Sequence, residues 1–288
     1  MHINYTKILV IGSNGLLGSQ IVNNLNKKKI NFLTVARNKS HFNLDLRNFK
    51  KLQYFLRKNK FTIIINCAAK VSIDFCEKNY SKALKINYLL PKYLSVLSKK
   101  LRFKFVHIST DQVYAGNKFE CNSESSKIFG INKYAKMKIL AENEVLKVKN
   151  NLVIRTNFTG KKLNKGNSFS DWIFNSAKKR RKIALFNDMY TSTIDAKTCS
   201  NLIVSLSTIN SSGIYNLGSK NALSKKDFAL IFAKKLKKKL YYYEKSCDVL
   251  KVKRVKNLSL NVTKVEKKLG LKMPSSTRAI NNLIKDYK

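Results

Sequence analysis

The segment "KILVIGSNGLLGSQIVNNLNKK", Lys7 to Lys28, contains the strongest indication of the fold. Its apolar start is typical of a buried strand, and the residues after the glycines have the apolar spacing of a helix. A glycine-rich turn between a strand and a helix lets backbone N–H groups approach a pyrophosphate at the helix N-terminus, although the spacing here is G-x-x-G-x-x-G rather than G-x-G-x-x-G. The turn predicts a dinucleotide site with six cofactor-binding residues, which are Gly12, Ser13, Asn14, Gly15, Leu16 and Gly18.

Apolar runs of strand length alternate with segments of helical period through the first half of the chain. Continuous apolar strands between helices indicate a parallel sheet covered on both faces. We therefore predict a Rossmann-like, doubly wound α/β fold, with a smaller interleaved C-terminal lobe. The expected division is a nucleotide-binding domain at 1–157, with contributions from about 190–218, and a mainly substrate-binding lobe at 158–288. Pro91 is expected to kink the helix that contains it.

Composition limits the functional classes. No apolar run is long enough to span a bilayer. Five cysteines without a C-x-x-C pair favour reduced thiols and a cytoplasmic protein. The histidines do not cluster with cysteines at metal-ligand spacings, so no metal site is predicted.

The net charge of +42 would attract polyanions such as nucleic acid. The lysines are nevertheless dispersed along the whole chain, and only Lys178–Lys182 and Lys234–Lys239 form dense runs. No nucleic-acid recognition motif accompanies them. We interpret the charge as compositional bias and predict no specific nucleic-acid partner.

The end of the second predicted strand discriminates between cofactors. It reads "VARNKS", so Arg37 stands where an acidic residue would bind a ribose 2′-hydroxyl. A cation there favours a 2′-phosphate and hence NADP(H), with NAD(H) left open. Asp45 and Leu46, on a short strand, are expected to meet the adenine. Small residues end the next strand and let a cofactor lie close, namely Cys67, Ala68 and Ala69.

Two further segments carry candidate catalytic groups. "HISTDQVYAG" places Ser109, Thr110 and Asp111 at the carboxyl end of a strand, the ligand-binding edge of such sheets. "FGINKYAKMKILAE", Phe129 to Glu142, places Tyr134 and Lys138 one helical turn apart. Phe129 and Lys133 have the same spacing, and the segment alone does not choose between the two pairs.

These motifs in this order resemble the extended short-chain dehydrogenase/reductases, and most closely the dTDP-4-dehydrorhamnose reductase family. The family reads S-T-D-x-V-[FY] at the strand end and P-x-N-x-Y-G-x-[ST]-K-x-x-x-E on the helix. Asn132 and Glu142 match only when Tyr134 and Lys138 are the pair, which settles the register. "RTNFTG" (155–160), "GIYNLG" (213–218) and "RVKNLSLNVTKVEKKLG" (254–270) extend the resemblance over most of the chain. On the helix, Gly130 replaces the family's proline and Met137 its Ser/Thr, and neither change removes a catalytic group. Further departures, such as Ser192 for the family's proline, fall in the predicted substrate lobe.

The resemblance implies NADPH-dependent reduction of a nucleotide-linked 4-keto-6-deoxy sugar, as in dTDP-rhamnose and polysaccharide biosynthesis. It implies catalytic roles for Thr110, Tyr134 and Lys138, and places Asn87 near the cofactor. A lysine ammonium beside Tyr134 would favour its phenolate and so allow proton donation to a carbonyl oxygen. The substrate-binding candidates are Lys70, Ser109, Asp111, Asn157, Trp172 and Arg254, although core packing for Trp172 and solvated surface for Arg254 are equal readings.

Other functions remain open from the sequence. A nucleotide-sugar epimerase or dehydratase would use NAD, and a non-catalytic NADP-binding regulatory subunit would keep the fold without turnover. A nucleotide sugar is the expected partner, and homodimer formation is left undecided.

Overall fold

The computed structural model describes residues 6–116, 120–162 and 168–288. Strands and helices alternate along these residues. The strands are β1 (Ile8–Ile11), β2 (Phe32–Ala36), β3 (Phe42–Asn43), β4 (Ile63–Asn66), β5 (Lys104–Ile108), β6 (Leu152–Thr156), β7 (Phe158–Thr159), β8 (Ile183–Phe186), β9 (Tyr190–Thr191), β10 (Ile194–Asp195), β11 (Gly213–Leu217), β12 (Leu223–Ser224), β13 (Tyr242–Lys245) and β14 (Asn257–Leu258). The α-helices are α1 (Leu16–Lys27), α2 (Phe49–Asn59), α3 (Ile73–Lys78), α4 (Tyr80–Leu84), α5 (Leu90–Leu101), α6 (Lys133–Leu146), α7 (Phe169–Lys178), α8 (Ala196–Thr208), α9 (Lys225–Lys235), α10 (Thr263–Leu269) and α11 (Ser276–Leu283).

A seven-stranded sheet has the order β11-β6-β5-β4-β1-β2-β3. The pairs from β3 through β6 are parallel, and β1 lies between β2 and β4. Strand order reverses at β1, so the carboxyl ends of β1 and β4 flank the switch point where ligands bind in such sheets. The predicted doubly wound α/β fold is confirmed.

Sequence pattern explains why these strands are central. β1 and β4 are buried along their whole length, as expected for strands covered on both faces. A core cluster built from β1, β2, α2, α5 and β5 packs on one side, and its members include Leu9, Val35, Leu94 and Phe105. Burial of this apolar face provides most of the stabilisation of such a layer, at about 25 cal/mol per Å².

One local prediction needs correction, and a second stays open. The short strand expected at Asp45 and Leu46 lies instead at Phe42–Asn43, where it pairs with β2, and Asp45 follows it in a turn held by Arg47. Pro91 is the second residue of α5, and a π-helical segment, Lys85–Leu89, immediately precedes that helix. The π-helical turn is the irregular part of a continuous helical stretch, 80–101, and the kink expected at Pro91 stays a prediction.

The chain forms two compact units that alternate along the sequence. The first comprises residues 1–110, 132–155 and 200–215, and the second comprises 111–131, 156–199 and 216–288. The second unit contains small two- and three-stranded sheets and its own aromatic core around Phe228, Phe232 and Tyr287. The functional assignment of the two units stays a prediction. Within the described ranges, no helix combines the length and the apolar character that crossing a membrane requires.

Candidate active site

The glycine turn after β1 is shaped for close backbone packing. Gly12 has a φ of +78°, and a Cβ there would lie 2.8 Å from the Ala68 nitrogen. A Cβ on Gly18 would lie 2.3 Å from the Gly12 carbonyl oxygen. Gly15 caps α1 with an exposed, extended backbone, and its Cβ would meet only the Gly12 oxygen, at 3.2 Å. The turn therefore needs glycine at two positions for packing and leaves Gly15 open towards a ligand.

Ser13 supplies a test of whether a phosphate fits this turn. Its hydroxyl is buried, and within the described ranges it has no hydrogen-bond partner. A buried hydroxyl without a partner is unfavourable, so a ligand acceptor at this position would satisfy it. The open Gly15 position and the unsatisfied Ser13 hydroxyl fit a dinucleotide pyrophosphate at the α1 N-terminus.

The turn beyond β2 carries exposed cations. Arg37 follows the last residue of β2 and is exposed, and Lys39 adopts a φ of +49°. Asn14 of the glycine turn donates to the Asn38 carbonyl and thereby links the two turns. Within the described chain, no carboxylate occupies the β2 end between residues 36 and 44.

Asp45 and Leu46 lie near this edge in different environments. The Arg47 side chain and amide bind the Asp45 carboxylate, and these hydrogen bonds lower its pKa to about 2. Asp45 also lines an open depression of about 490 Å³ with Arg47, Asn48, Phe49 and Lys50. Leu46 is buried in the core beneath the sheet.

The end of β4 forms a wall of small residues. Cys67, Ala68 and Ala69 are half-buried there. Asn87, in the π-helical turn, accepts a hydrogen bond from the Lys70 amide at 2.8 Å and donates to its carbonyl at 2.9 Å. Asn87 thus holds the backbone of this wall, and the Lys70 ammonium lies 5.4 Å from the centre of the Phe75 ring.

The three candidate catalytic residues all belong to the first unit. Thr110 follows β5 and is 7% exposed. The Asn132 side chain caps α6 by accepting from the Ala135 amide, and the helix begins one residue before Tyr134. Tyr134 is 7% exposed and Lys138, one turn further, is 1% exposed. Capping at Asn132 therefore fixes the start of the helix and the shared face of Tyr134 and Lys138.

A buried polar network lies around Lys138. Its ammonium donates to the Ile108 carbonyl at 2.7 Å and contacts Nε2 of His107 at 2.9 Å. Burial lowers the pKa of Lys138 to about 8, while the charges of Glu142 and Cys67 raise it. The ammonium form still predominates at neutral pH. Sequence reasoning did not identify His107, because a lone histidine in a strand gives no signal of its partner.

Glu142 and Arg155 form a buried ion pair beside this network. Arg155 donates through Nε and Nη2, the latter at 2.7 Å, and both side chains are at most 3% exposed. Ser109 donates its hydroxyl to the same carboxylate. Ser109, a predicted substrate contact, therefore directs its hydroxyl into the interior, where it satisfies Glu142.

In the second unit, predicted substrate residues form a hydrogen-bonded chain. Asn157 donates to Asp111 at 2.7 Å and accepts from Thr193 at 2.9 Å. Lys225, which sequence reasoning missed, lies 4.8 Å from the Phe169 ring centre; burial lowers its pKa to about 8 and the Asp111 charge opposes this.

Trp172 and Arg254 have local structural partners. Trp172 packs against the aromatic core of the second unit, with its ring 6.0 Å from that of Phe169. Arg254 donates to the Val252 carbonyl at 2.7 Å. The structure therefore does not gather either residue with the Asp111 chain through a described contact.

One group of side chains has metal-ligand types and spacing. Ligand atoms of Asp188, Cys247 and Asp248 lie within 4.8 Å of one another. The Lys256 ammonium binds the two carboxylates, at 3.2 Å and 2.6 Å. A protein cation thus already occupies the space between these two carboxylates and balances part of their charge.

Comparisons with known proteins identify the family to which this chain is similar. The RmlD substrate binding domain family matches residues 6–288. The spore coat polysaccharide biosynthesis protein SpsK of Bacillus subtilis is 27% identical over 225 residues, covering 78% of this chain and 77% of SpsK. A dTDP-4-dehydrorhamnose reductase of Aggregatibacter actinomycetemcomitans is 24% identical over 293 residues, covering 96% and 98%. The crystal structure of Bacillus anthracis dTDP-4-dehydrorhamnose reductase in complex with NADP superimposes with a TM-score of 0.88 at 25% identity, covering 98% of this chain and 100% of that one.

The family match spans both compact units and every motif on which the resemblance rests. The resemblance drawn from the glycine turn, the strand-end Ser-Thr-Asp and the Tyr-x-x-x-Lys helix is thereby confirmed. This chain belongs to the RmlD substrate binding domain family.

Proposed function

We propose that this protein is an NADPH-dependent reductase of a nucleotide-linked 4-keto-6-deoxy sugar. The observation that carries the proposal is the buried Lys138 ammonium one helical turn from Tyr134, in the unit that also contains Thr110 and the glycine turn. Burial of a lysine ammonium costs free energy unless hydrogen bonds or charged partners replace its lost hydration. The family relatives named for dTDP-4-dehydrorhamnose reduction support the substrate class.

The cofactor proposal rests on charge and space at the glycine turn. Ser13 and the N-terminal amides of α1 would hold the pyrophosphate, and Arg37 would pair with a 2′-phosphate. Cys67, Ala68 and Ala69 would allow the nicotinamide half to lie against the sheet edge. NADPH, when bound, supplies the hydride that reaches the carbonyl carbon.

The protein supplies the proton and orients the carbonyl group of the substrate. The Tyr134 hydroxyl donates its proton to the carbonyl oxygen, so the ketone becomes a secondary alcohol. The Thr110 hydroxyl donates a hydrogen bond to the same oxygen and orients it. The Lys138 ammonium stabilises the tyrosinate left behind and would bind the ribose of the nicotinamide half when the cofactor is present. Asp111 and Asn157 are proposed sugar contacts, and Lys70 would set selectivity beside the reacting carbon.

The test follows NADPH oxidation with a panel of nucleotide 4-ketosugars that includes dTDP-4-dehydrorhamnose. Tyr134→Phe should lower kcat at least about 100-fold without loss of NADPH binding. Tyr88→Phe is the matched control, because Tyr88 packs against the same cluster as Tyr134. It should retain activity.

Three results would contradict the proposal in different ways. NADPH binding without turnover of any ketosugar would favour the regulatory-subunit alternative. Tightly bound NAD after purification would favour an epimerase or dehydratase. Absence of NADPH binding would refute the cofactor site.

A further inference from the structure

The environment of Lys138 contains a partner that the proposed mechanism leaves unused. His107 lies in β5, is 1% exposed, and places Nε2 at 2.9 Å from the Lys138 ammonium. The second described acceptor of this ammonium is the Ile108 carbonyl, at 2.7 Å. Lys138 is therefore bound from the strand side by two adjacent residues of β5.

The direction of the histidine contact follows from charge. An ammonium only donates, so Nε2 of His107 must accept, and the ring proton must be on Nδ1. Burial and the Lys138 charge both hold the pKa of His107 well below its usual range, which keeps the ring neutral. A protonated imidazole at this place would repel Lys138.

The other ring nitrogen of His107, Nδ1, lies in an unfavourable environment. Within the described chain, Nδ1 of His107 is buried and has no hydrogen-bond partner. An unsatisfied buried N–H is unfavourable, and an apolar side chain on the strand would avoid it. The favourable contact of this imidazole is the one at Nε2, so holding Lys138 is the role the geometry offers it.

We propose that His107 is a positioning residue, which fixes the Lys138 ammonium beside Tyr134 by accepting a hydrogen bond from it at Nε2. This inference rests on the proposed reductase function. Two of the three ammonium N–H groups donate hydrogen bonds to His107 and the Ile108 carbonyl. The third remains for the cofactor ribose or the tyrosine oxygen.

Other charged and titratable groups around Lys138 do not replace His107. Glu142, on the same helix, is bound by Arg155 and Ser109. Cys67 acts on Lys138 through charge from the β4 end, and Tyr134 lies one turn earlier on α6. Loss of the Nε2 acceptor therefore leaves the ammonium with only the Ile108 carbonyl as a described hydrogen-bond partner.

Two amide substitutions at residue 107 separate the effect of the acceptor's position from the effect of the side chain's polarity. Glutamine in His107→Gln extends far enough to place an acceptor oxygen near the Nε2 position, whereas asparagine in His107→Asn reaches only the Nδ1 position. Both variants are neutral and polar. They form a matched pair that differs in whether an acceptor faces Lys138.

We expect His107→Asn to lower kcat about 10- to 100-fold and to raise the NADPH dissociation constant, with little change in KM for the sugar. The alkaline limb of its kcat–pH profile should move about one pH unit lower, because the ammonium loses a hydrogen bond that favours the charged form. His107→Gln should recover most of the activity, and the alkaline limb of its kcat–pH profile should lie at the native pH. Equal behaviour of the two variants, or a loss of kcat that follows melting temperature with an unchanged pH profile, would overturn the proposal.

A second measurement needs neither cofactor nor turnover. The chain has three histidines, so ¹⁵N resonances of the imidazoles can be assigned by removing each in turn. In the folded protein, His107 should be the neutral Nδ1–H tautomer from pH 5.5 to 8, and Lys138→Met should shift its Nε2 resonance. An Nε2–H tautomer in the native protein would overturn the proposal.

The two measurements distinguish this proposal from the proposed function. If the native protein turns over no ketosugar, the reductase function fails. The role of His107 is then decided by the NADPH dissociation constant, which should rise in His107→Asn and not in His107→Gln. If turnover is present but the two variants behave alike, the reductase function stands and the positioning role fails.

Discussion

The glycine turn offers a prediction that separates folding from cofactor binding. Gly18→Ala would place a Cβ at 2.3 Å from the Gly12 carbonyl oxygen and at 2.9 Å from the Ser13 Cα. Real Cβ atoms essentially never approach other heavy atoms closer than 3.0 Å, so the backbone of the turn must move. No flexible side chain is available to give way.

The expected loss of stability in Gly18→Ala follows from the displacement of the turn. Relief of the contact requires the turn to retreat by about 1 Å from α1, which is overpacking at a buried site and costs about 1–3 kcal/mol. For chains of this size, 1 kcal/mol corresponds to about 2–4 °C in melting temperature. We expect Gly18→Ala to lower Tm by several degrees and to weaken NADPH binding, because the pyrophosphate-binding amides move with the turn.

Gly15→Ala is the matched control in the same turn. Its backbone is extended, with a φ of −74°, and the added Cβ meets only one oxygen, at 3.2 Å. Stability should change by less than about 1 kcal/mol, since alanine also restricts the unfolded chain. NADPH binding should weaken at least about 10-fold, because the Cβ occupies the open side of the turn. Thermal denaturation and NADPH fluorescence titration measure both quantities, and a Gly18→Ala variant with native stability and native affinity would refute the reasoning.

Three further predictions concern charge. Arg37→Glu should reduce the preference for NADPH over NADH at least about 10-fold in binding titrations, whereas Lys100→Glu, an equal charge change at the exposed end of α5, should leave it unchanged. Glu142→Gln should destabilise the protein by about 3–5 kcal/mol in chemical denaturation, because Arg155 would be buried without its anion. The double change Glu142→Leu with Arg155→Met should restore part of this stability. A loss under about 1 kcal/mol in Glu142→Gln would contradict the buried pair. Burial raises the pKa of Asp188, but hydrogen bonds from Ser246, Cys247 and Lys256 outweigh it and hold the value at about 2. Its charged form stabilises the fold above pH 4, so about 1 kcal/mol should be lost as the pH falls from about 4 to 2, and Asp188→Asn should flatten the stability curve over that window.

Local sequence patterns were sufficient for the fold and for the backbone of the candidate site. Periodicity and glycine spacing identify β1, the turn and α1 because these features depend on residues close together in the chain. The register of α6 followed from Asn132, whose side chain caps the helix as its residue type suggests.

Contacts between distant segments could not be read in the same way. Ser109 is 33 residues from Glu142, so the sequence does not reveal that its hydroxyl faces a buried carboxylate rather than a substrate. His107 and Lys138 are 31 residues apart and meet only because α6 packs on β5. The position of the short strand before Asp45 depended on pairing with β2, which overrides weak local preference.

Hydrogen-bond acceptors distinguish two buried cations in a chain this rich in lysine. Lys104 and Lys138 are both buried, and neither is part of the solvated surface that compositional bias explains. The Lys104 ammonium meets three acceptors, the carbonyls of Leu206 and Ile209 and the Ser211 hydroxyl, at the C-terminal end of α8, where a helix dipole favours a cation. Three acceptors match its three N–H groups, which is the arrangement expected of a structural lysine. Lys138 has two described acceptors, a pKa lowered to about 8 and a position one turn from Tyr134. The N–H group of Lys138 without a described acceptor, and not the abundance of lysine, is the reason we propose a catalytic role for this cation.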